Sequence, residues 1–114
     1  MESITEQIVG RLEIGKKRYG HGVIVDSDTR EWGTPKNSWI DMAVEEFLDA
    51  IIYVIADYIR QERERQKVDE REHDEPDDNK LIMHILKNHE KIESPKHRML
   101  VWNLINILFA SSQF

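Results

Sequence analysis

Four acidic side chains occur within one apolar stretch, residues 45–59, which reads EEFLDAIIYVIADYI. These acids are Glu45, Glu46, Asp49 and Asp57. No Lys or Arg lies within residues 39–59, although like charges three and four residues apart repel on a helix. Carboxylate oxygens are the ligands of hard divalent cations such as Mg²⁺ and Mn²⁺. The stretch therefore has two interpretations, a solvated helix face and a metal site.

On a helix these acids lie opposite an apolar face. At 3.6 residues per turn, one broad arc is apolar and is predicted to face the core. It contains Met42, Ala43, Phe47, Ala50, Ile51, Val54, Ile55 and Tyr58. A narrower face contains Glu46, Asp49, Tyr53 and Asp57, with Glu45 on its flank. The spacing predicts that the side chains of Glu45, Glu46 and Asp49 converge.

A cationic stretch upstream is opposite in sign to the acids. Residues 15–20 read GKKRYG and place Lys16, Lys17 and Arg18 between two glycines. One interpretation is a helix C-terminus whose cations interact favourably with the helix dipole. The other is phosphate binding, because Lys and Arg contact phosphate oxygens while glycine lets the backbone approach. Tyr53 would then stack on a base, or pack as an ordinary aromatic residue.

The apolar periodicity predicts an all-α fold, a bundle of about four helices completed by oligomerisation. The predicted helices are 4–19, 39 to at least 60, 79–91, and 95–109. Ser3, Ser38 and Ser94 are the predicted N-caps, and Pro95 is the predicted first residue of the last helix. That helix is apolar nearly all round, which predicts burial in the bundle or in an oligomer interface.

Three segments are predicted along the chain. Residues 1–60 form a helical core, and residues 61–79 form a charged linker or an extension of the second helix. Residues 80–114 form a C-terminal helical hairpin that packs on the core or on a partner subunit. The connection at residues 20–37 is long for so small a domain, and loops of this length are often functional. Val23 to Val25 within it could be extended, with no evident pairing partner.

Composition narrows the class of protein. The chain has 114 residues, enough for one modest domain, and contains no Cys, which excludes disulfides and thiolate metal sites. The formal net charge of -6 argues against non-specific binding to nucleic acid. The N-terminal residues are not typical of a signal peptide, and the longest nearly uncharged stretch is too short for a membrane span. We therefore expect a cytoplasmic protein with no membrane partner.

The motifs follow one another in a specific order. GKKRYG and Trp32 precede W-x-x-M-A-x-E-E-x-x-D-x-x-x-Y, which runs from Trp39 to Tyr53. This order resembles small MazG-like proteins, often phage-encoded, of the all-α nucleotide pyrophosphohydrolase superfamily. The resemblance covers roughly residues 8–60. It implies a hydrolase of nucleotide-pool control that cleaves a nucleoside triphosphate to the monophosphate and pyrophosphate with Mg²⁺ or Mn²⁺. It also implies a homo-oligomer, either a dimer or a tetramer.

The resemblance also implies roles for individual residues. The family pairs an E-x-x-E on one helix with an E-x-x-D on the next, and Glu46 and Asp49 match the second pair. Glu45 is then a further metal ligand or base, so the predicted catalytic residues are Glu45 and Glu46. The predicted metal ligands are Glu45, Glu46, Asp49 and Asp57, the last from the helical wheel alone. The predicted substrate-binding residues are Lys16, Lys17, Arg18 and Tyr53.

The first pair of the family motif has no clear counterpart here. Glu6 and Glu13 share a face of the first helix but lie seven residues apart. Either another subunit completes the site, or Glu6 and Glu13 substitute for the pair, or catalysis has been lost. The alternative function is a non-catalytic helical interaction protein, such as a small phage regulator that binds a host protein. A third reading is nucleotide binding without hydrolysis.

Overall fold

The computed structural model describes residues 2–66 and 76–112. These residues form four α-helices, two short 3-10 helices and no strand, which confirms the predicted all-α class. The α-helices are α1 (Ile4–Tyr19), α2 (Trp39–Gln66), α3 (Asn79–Lys87) and α4 (Pro95–Ser112). The 3-10 helices are Thr29–Trp32 and His89–Lys91. None of the described helices is long and apolar enough to cross a lipid bilayer.

The chain divides into two compact units, Met1–Asn37 and Ser38–Phe114. The second unit contains α2, α3 and α4, with α2 packed against both of the others. Residues 67–75 of the predicted linker lie outside the described residues, whereas residues 61–66 continue α2. The three segments predicted from the sequence, and completion of the bundle by oligomerisation, stay predictions.

The first unit begins with α1, whose ends are set by local hydrogen bonds. The Ser3 hydroxyl accepts the backbone N–H of Glu6 at 3.1 Å, as an N-cap should. Gly20 ends the helix with a φ of 81°, a left-handed conformation that glycine adopts without steric cost. No residue of α1 is buried, and Ile4, Ile8 and Leu12 form an apolar stripe that is 72%, 55% and 53% exposed.

Polar hydrogen bonds hold the connection that follows α1. The hydroxyls of Thr29 and Thr34, both buried, lie 2.8 Å apart and donate to the carbonyl of Lys36. Asp28 accepts from the Arg30 guanidinium, and this hydrogen bond holds the pKa of Asp28 below its ordinary value. Residues 23–25 do not form a strand, and the Ser27 N–H closes a turn there.

The core of the second unit is built on one stripe of α2. Ile51, Ile55 and Ile59 are buried and follow one another at four-residue spacing, so they lie on one helix face. They pack with Ile92 and with Val101 of α4. Burying each such side chain fully stabilises the fold by about 1.5–3 kcal/mol. Every residue of the predicted apolar arc of α2 is buried or half-buried, as its periodicity predicted.

The third helix is shorter than the periodicity predicted. α3 ends at Lys87, and His89–Lys91 form a separate 3-10 helix. The side chain of Asn88 donates to the carbonyl of His84 at 2.9 Å. Asn side chains compete in this way with helical backbone hydrogen bonds. This competition explains why the α-helix ends one residue before Asn88.

α4 begins as its sequence predicted, and among the described residues it buries one of its faces. The Ser94 hydroxyl accepts the N–H of His97 at 3.3 Å, and Pro95 is the first helical residue. His97 and Val101 are the buried residues of the helix. The outer face of α4 consists of Met99, Trp102 and Phe109, which are 55%, 51% and 65% exposed. The predicted burial of this helix therefore holds for one face.

Candidate functional site

The carboxylates of Glu45, Glu46 and Asp49, together called the acidic face here, lie on the solvent side of α2. All three residues are exposed, and none has a hydrogen-bond or ion-pair partner among the described residues. The opposite side of the helix is core, so the backbone that carries them is held in place. The helical wheel predicted this separation of acids from apolar side chains.

The acidic face alone does not make a complete chelate. The described part of the chain contains no group of three or more His, Asp or Glu side chains placed to hold a metal ion. Mg²⁺, however, usually keeps several waters and is bound through one or two carboxylates together with substrate phosphates. The donor set of the acidic face fits that mode, in which the substrate supplies the remaining oxygens.

The carboxylate of Asp57 is hydrogen-bonded to other side chains, unlike the carboxylates of the acidic face. Its Oδ2 atom accepts from His97 Nε2 at 2.7 Å and from Gln61 Nε2 at 2.9 Å. Asp57 follows Asp49 by eight residues, which corresponds to about 12 Å along the helix axis. The structure thus joins Asp57 to α4 and does not bring it to the acidic face. Its role as a metal ligand stays a prediction.

The buried ring of His97 links α2 to the start of α4. Its Nδ1 atom lies 2.5 Å from Ser94 Oγ, while its Nε2 atom bonds Asp57. With His97 neutral and its proton on Nε2, the ring donates to Asp57 and accepts from Ser94. The ring of Tyr58 lies 5.7 Å away, centroid to centroid. Both ring nitrogens are therefore satisfied in an environment where an unpaired nitrogen would be costly.

This network has the residue types of a catalytic triad, but its geometry indicates a structural role. The Ser94 hydroxyl is already the N-cap of α4, and it contacts His97 Nδ1 while the carboxylate takes Nε2. In a serine hydrolase the catalytic Ser bonds Nε2 of the His ring and the Asp bonds Nδ1. The sequence interpretation missed this network. The signal that could have indicated it was an imidazole ring, His97, three residues after the predicted N-cap Ser94.

The network predicts energetic coupling between Asp57 and His97. We expect the double-mutant cycle of Asp57→Ala and His97→Ala to give a coupling of about 1 kcal/mol, because residues that share a hydrogen bond are not additive. Urea unfolding of the two single variants and the double variant measures it. Asp57→Ala combined with His21→Ala, whose ring lies in the other unit, is the matched control. Equal additivity in both cycles would show that the bond contributes nothing.

The predicted substrate-binding residues lie in both units. Lys16, Lys17 and Arg18 occupy the last turn of α1 in the unit Met1–Asn37, and all three are exposed. None has an ion-pair partner among the described residues. Tyr53 lies one turn after Asp49 on α2 and is 66% exposed. The cations suit the helix dipole and are open to solvent, so both interpretations of GKKRYG remain.

Comparison with known proteins adds no assignment. No protein-family model, no curated protein and no solved structure matches the chain.

Proposed function

We propose that the protein is a metal-dependent nucleoside triphosphate pyrophosphohydrolase of nucleotide-pool control. The observation that supports this proposal is the acidic face of α2, with three exposed carboxylates that lack protein partners. A solvent-exposed helix face usually carries both positive and negative side chains, whereas residues 39–59 contain no Lys or Arg. The chain therefore keeps an electrostatic repulsion that a bound divalent cation would relieve.

The proposed reaction uses the acidic face of α2. Glu46 and Asp49 would hold the metal, and Glu45 would be a further ligand or the base. A bound divalent ion neutralises phosphate charge and lowers the pKa of a coordinated water. A water oxygen would bond to a phosphorus atom while Glu45 or Glu46 takes its proton and the α–β anhydride bond breaks. Pyrophosphate leaves, and Tyr53 stacks on the base. Phosphate contacts by Lys16, Lys17 and Arg18 stay a prediction from the sequence.

The test of the proposal is thermal unfolding combined with an assay of product. We expect Mn²⁺ or Mg²⁺ with a matching nucleoside triphosphate to raise the melting temperature, and pyrophosphate to appear in the same samples. A ligand that binds only the folded state at 100 times its dissociation constant stabilises it by about 2.7 kcal/mol. Samples with EDTA are the control. A folded protein with neither a shift nor pyrophosphate release would contradict the proposal.

The second candidate function is a non-catalytic helical interaction protein, and exposed apolar surface favours it. The apolar stripe of α1 and the outer face of α4 expose large side chains that a protein partner would cover. This candidate predicts no effect of divalent metal on stability and a stable complex with a macromolecule. A second copy of the chain is one such partner, and light scattering after size-exclusion chromatography would show a dimer or tetramer.

A further inference from the structure

We propose that a small cavity in the unit Ser38–Phe114 binds a short-chain carboxylate. The cavity has a volume of about 230 Å³ and lies where α2, α3 and the second 3-10 helix meet. Its lining residues are Tyr58, His84, Ile85, Asn88, Lys91 and Ile92. The cavity shares no residue with the acidic face, so the inference stands apart from the proposed pyrophosphohydrolase activity.

The charge of the lining is opposite to that of the unit around it. Residues 1–37 carry equal numbers of cationic and anionic side chains, so the whole formal charge of -6 falls on residues 38–114. Even so, no carboxylate side chain of residues 2–66 and 76–112 lines the cavity. Its ionisable basic groups are Lys91 and His84, and neither has an ion-pair partner among the described residues. Both residues are exposed, and an anion in this open cavity would find a compensating charge beside Lys91.

The Tyr58 hydroxyl is a neutral hydrogen-bond donor at the cavity. The Tyr58 hydroxyl oxygen accepts the backbone N–H of Glu93 at 3.3 Å. Its proton has no acceptor among the described residues, and a phenol can donate while it accepts. The Tyr58 ring is held beside His97, and the Asn88 amide is held by the carbonyl of His84. The donors therefore lie on side chains whose positions are already restricted.

The size and floor of the cavity favour a carboxylate with a short alkyl chain. Ile92 is 3% exposed and Ile85 is half-buried, so the floor is apolar. At about 30 Å³ for each water, the volume corresponds to roughly eight water molecules, or a ligand of about that many heavy atoms. Butyrate fits within this volume. Inorganic phosphate shares the anionic chemistry but has no apolar part for the floor.

The experiment is calorimetric titration of the full chain with sodium butyrate and, separately, with inorganic phosphate at matched ionic strength. We expect saturable butyrate binding and at least tenfold weaker phosphate binding. Lys91→Met should weaken butyrate binding at least tenfold, and Tyr58→Phe should weaken it several-fold while keeping the ring. Lys91→Arg should preserve most of it. Lys87→Met is the matched control, because Lys87 is exposed at the end of α3 and does not line the cavity.

Each other outcome contradicts the inference. Equal affinity for butyrate and phosphate would show that charge alone is recognised, without the apolar floor. An equal loss in Lys87→Met and Lys91→Met would show general attraction to surface cations. Absence of saturable binding would exclude the site. If circular dichroism shows that Lys91→Met does not fold, butyrate binding by Tyr58→Phe is the deciding measurement.

Discussion

Replacement of Asp49 by Asn is expected to reduce metal-dependent pyrophosphate release by roughly 100-fold, because loss of even an outer-shell partner of a bound metal typically costs about 10–100-fold. The amide has nearly the shape of the carboxylate but no charge, so it is a poor ligand for Mg²⁺. Asp49 is exposed and has no partner among the described residues, so folding does not depend on it. Steady-state assays over a range of Mg²⁺ and Mn²⁺ concentrations measure the loss.

The matched control for Asp49→Asn is Glu64→Gln on the same helix. Glu64 is also exposed, lies beyond the acidic face, and undergoes the same change from carboxylate to amide. We expect its activity and its far-UV circular dichroism spectrum to equal those of the original chain. Asp49→Asn should retain the same helical spectrum. If it also retained full turnover, the acidic face would not be the metal site.

Ile55→Ala is expected to lower the free energy of unfolding by about 3 kcal/mol, within the range found for large core side chains. Ile55 is 0% exposed and sits at the middle of the buried stripe of α2. Truncation removes apolar burial and leaves a cavity, since its neighbours on α4 and around Ile92 collapse only partly. The melting temperature should fall by roughly 10 °C or more. Urea unfolding and thermal scans measure both quantities.

Ile52→Ala is the control for this stability prediction. Ile52 lies on the same helix, three residues earlier, but is 45% exposed. The same chemical change there should cost about 1 kcal/mol or less, because much of the side chain already contacts water. Equal losses in the two variants would contradict the placement of Ile55 in the core and Ile52 at the surface.

The parts of the fold that depend on local physics follow from the sequence. The apolar arc of α2 is recognisable because helical geometry fixes the angle between side chains along one segment. Ser3, Ser38 and Ser94 mark helix starts because a side-chain oxygen there satisfies a free backbone N–H, as the structure shows for all three. These features need no knowledge of tertiary contacts.

The features that sequence reasoning missed depend on contacts between helices or on side chains that compete with backbone hydrogen bonds. The break at Asn88 arises because its side chain takes the His84 carbonyl, an outcome that apolar periodicity does not report. The bond from His97 to Asp57 joins residues 40 positions apart. A helical wheel gives the direction of Asp57 around α2 but does not say which helix lies in that direction. The acidic face was predictable because its residues lie within about one turn of a single helix, where helical geometry alone sets their relative positions.

The exposed apolar stripe of α1 has a consequence for the order of the N-terminal segment. α1 has 16 residues, about the length at which a free helix is marginally stable in water. Gly10 and Gly15 each cost about 1 kcal/mol relative to Ala within it. If a partner covered Ile4, Ile8 and Leu12, folding of the segment would be coupled to that association. The fraction of helical α1 would then rise with the concentration of that partner.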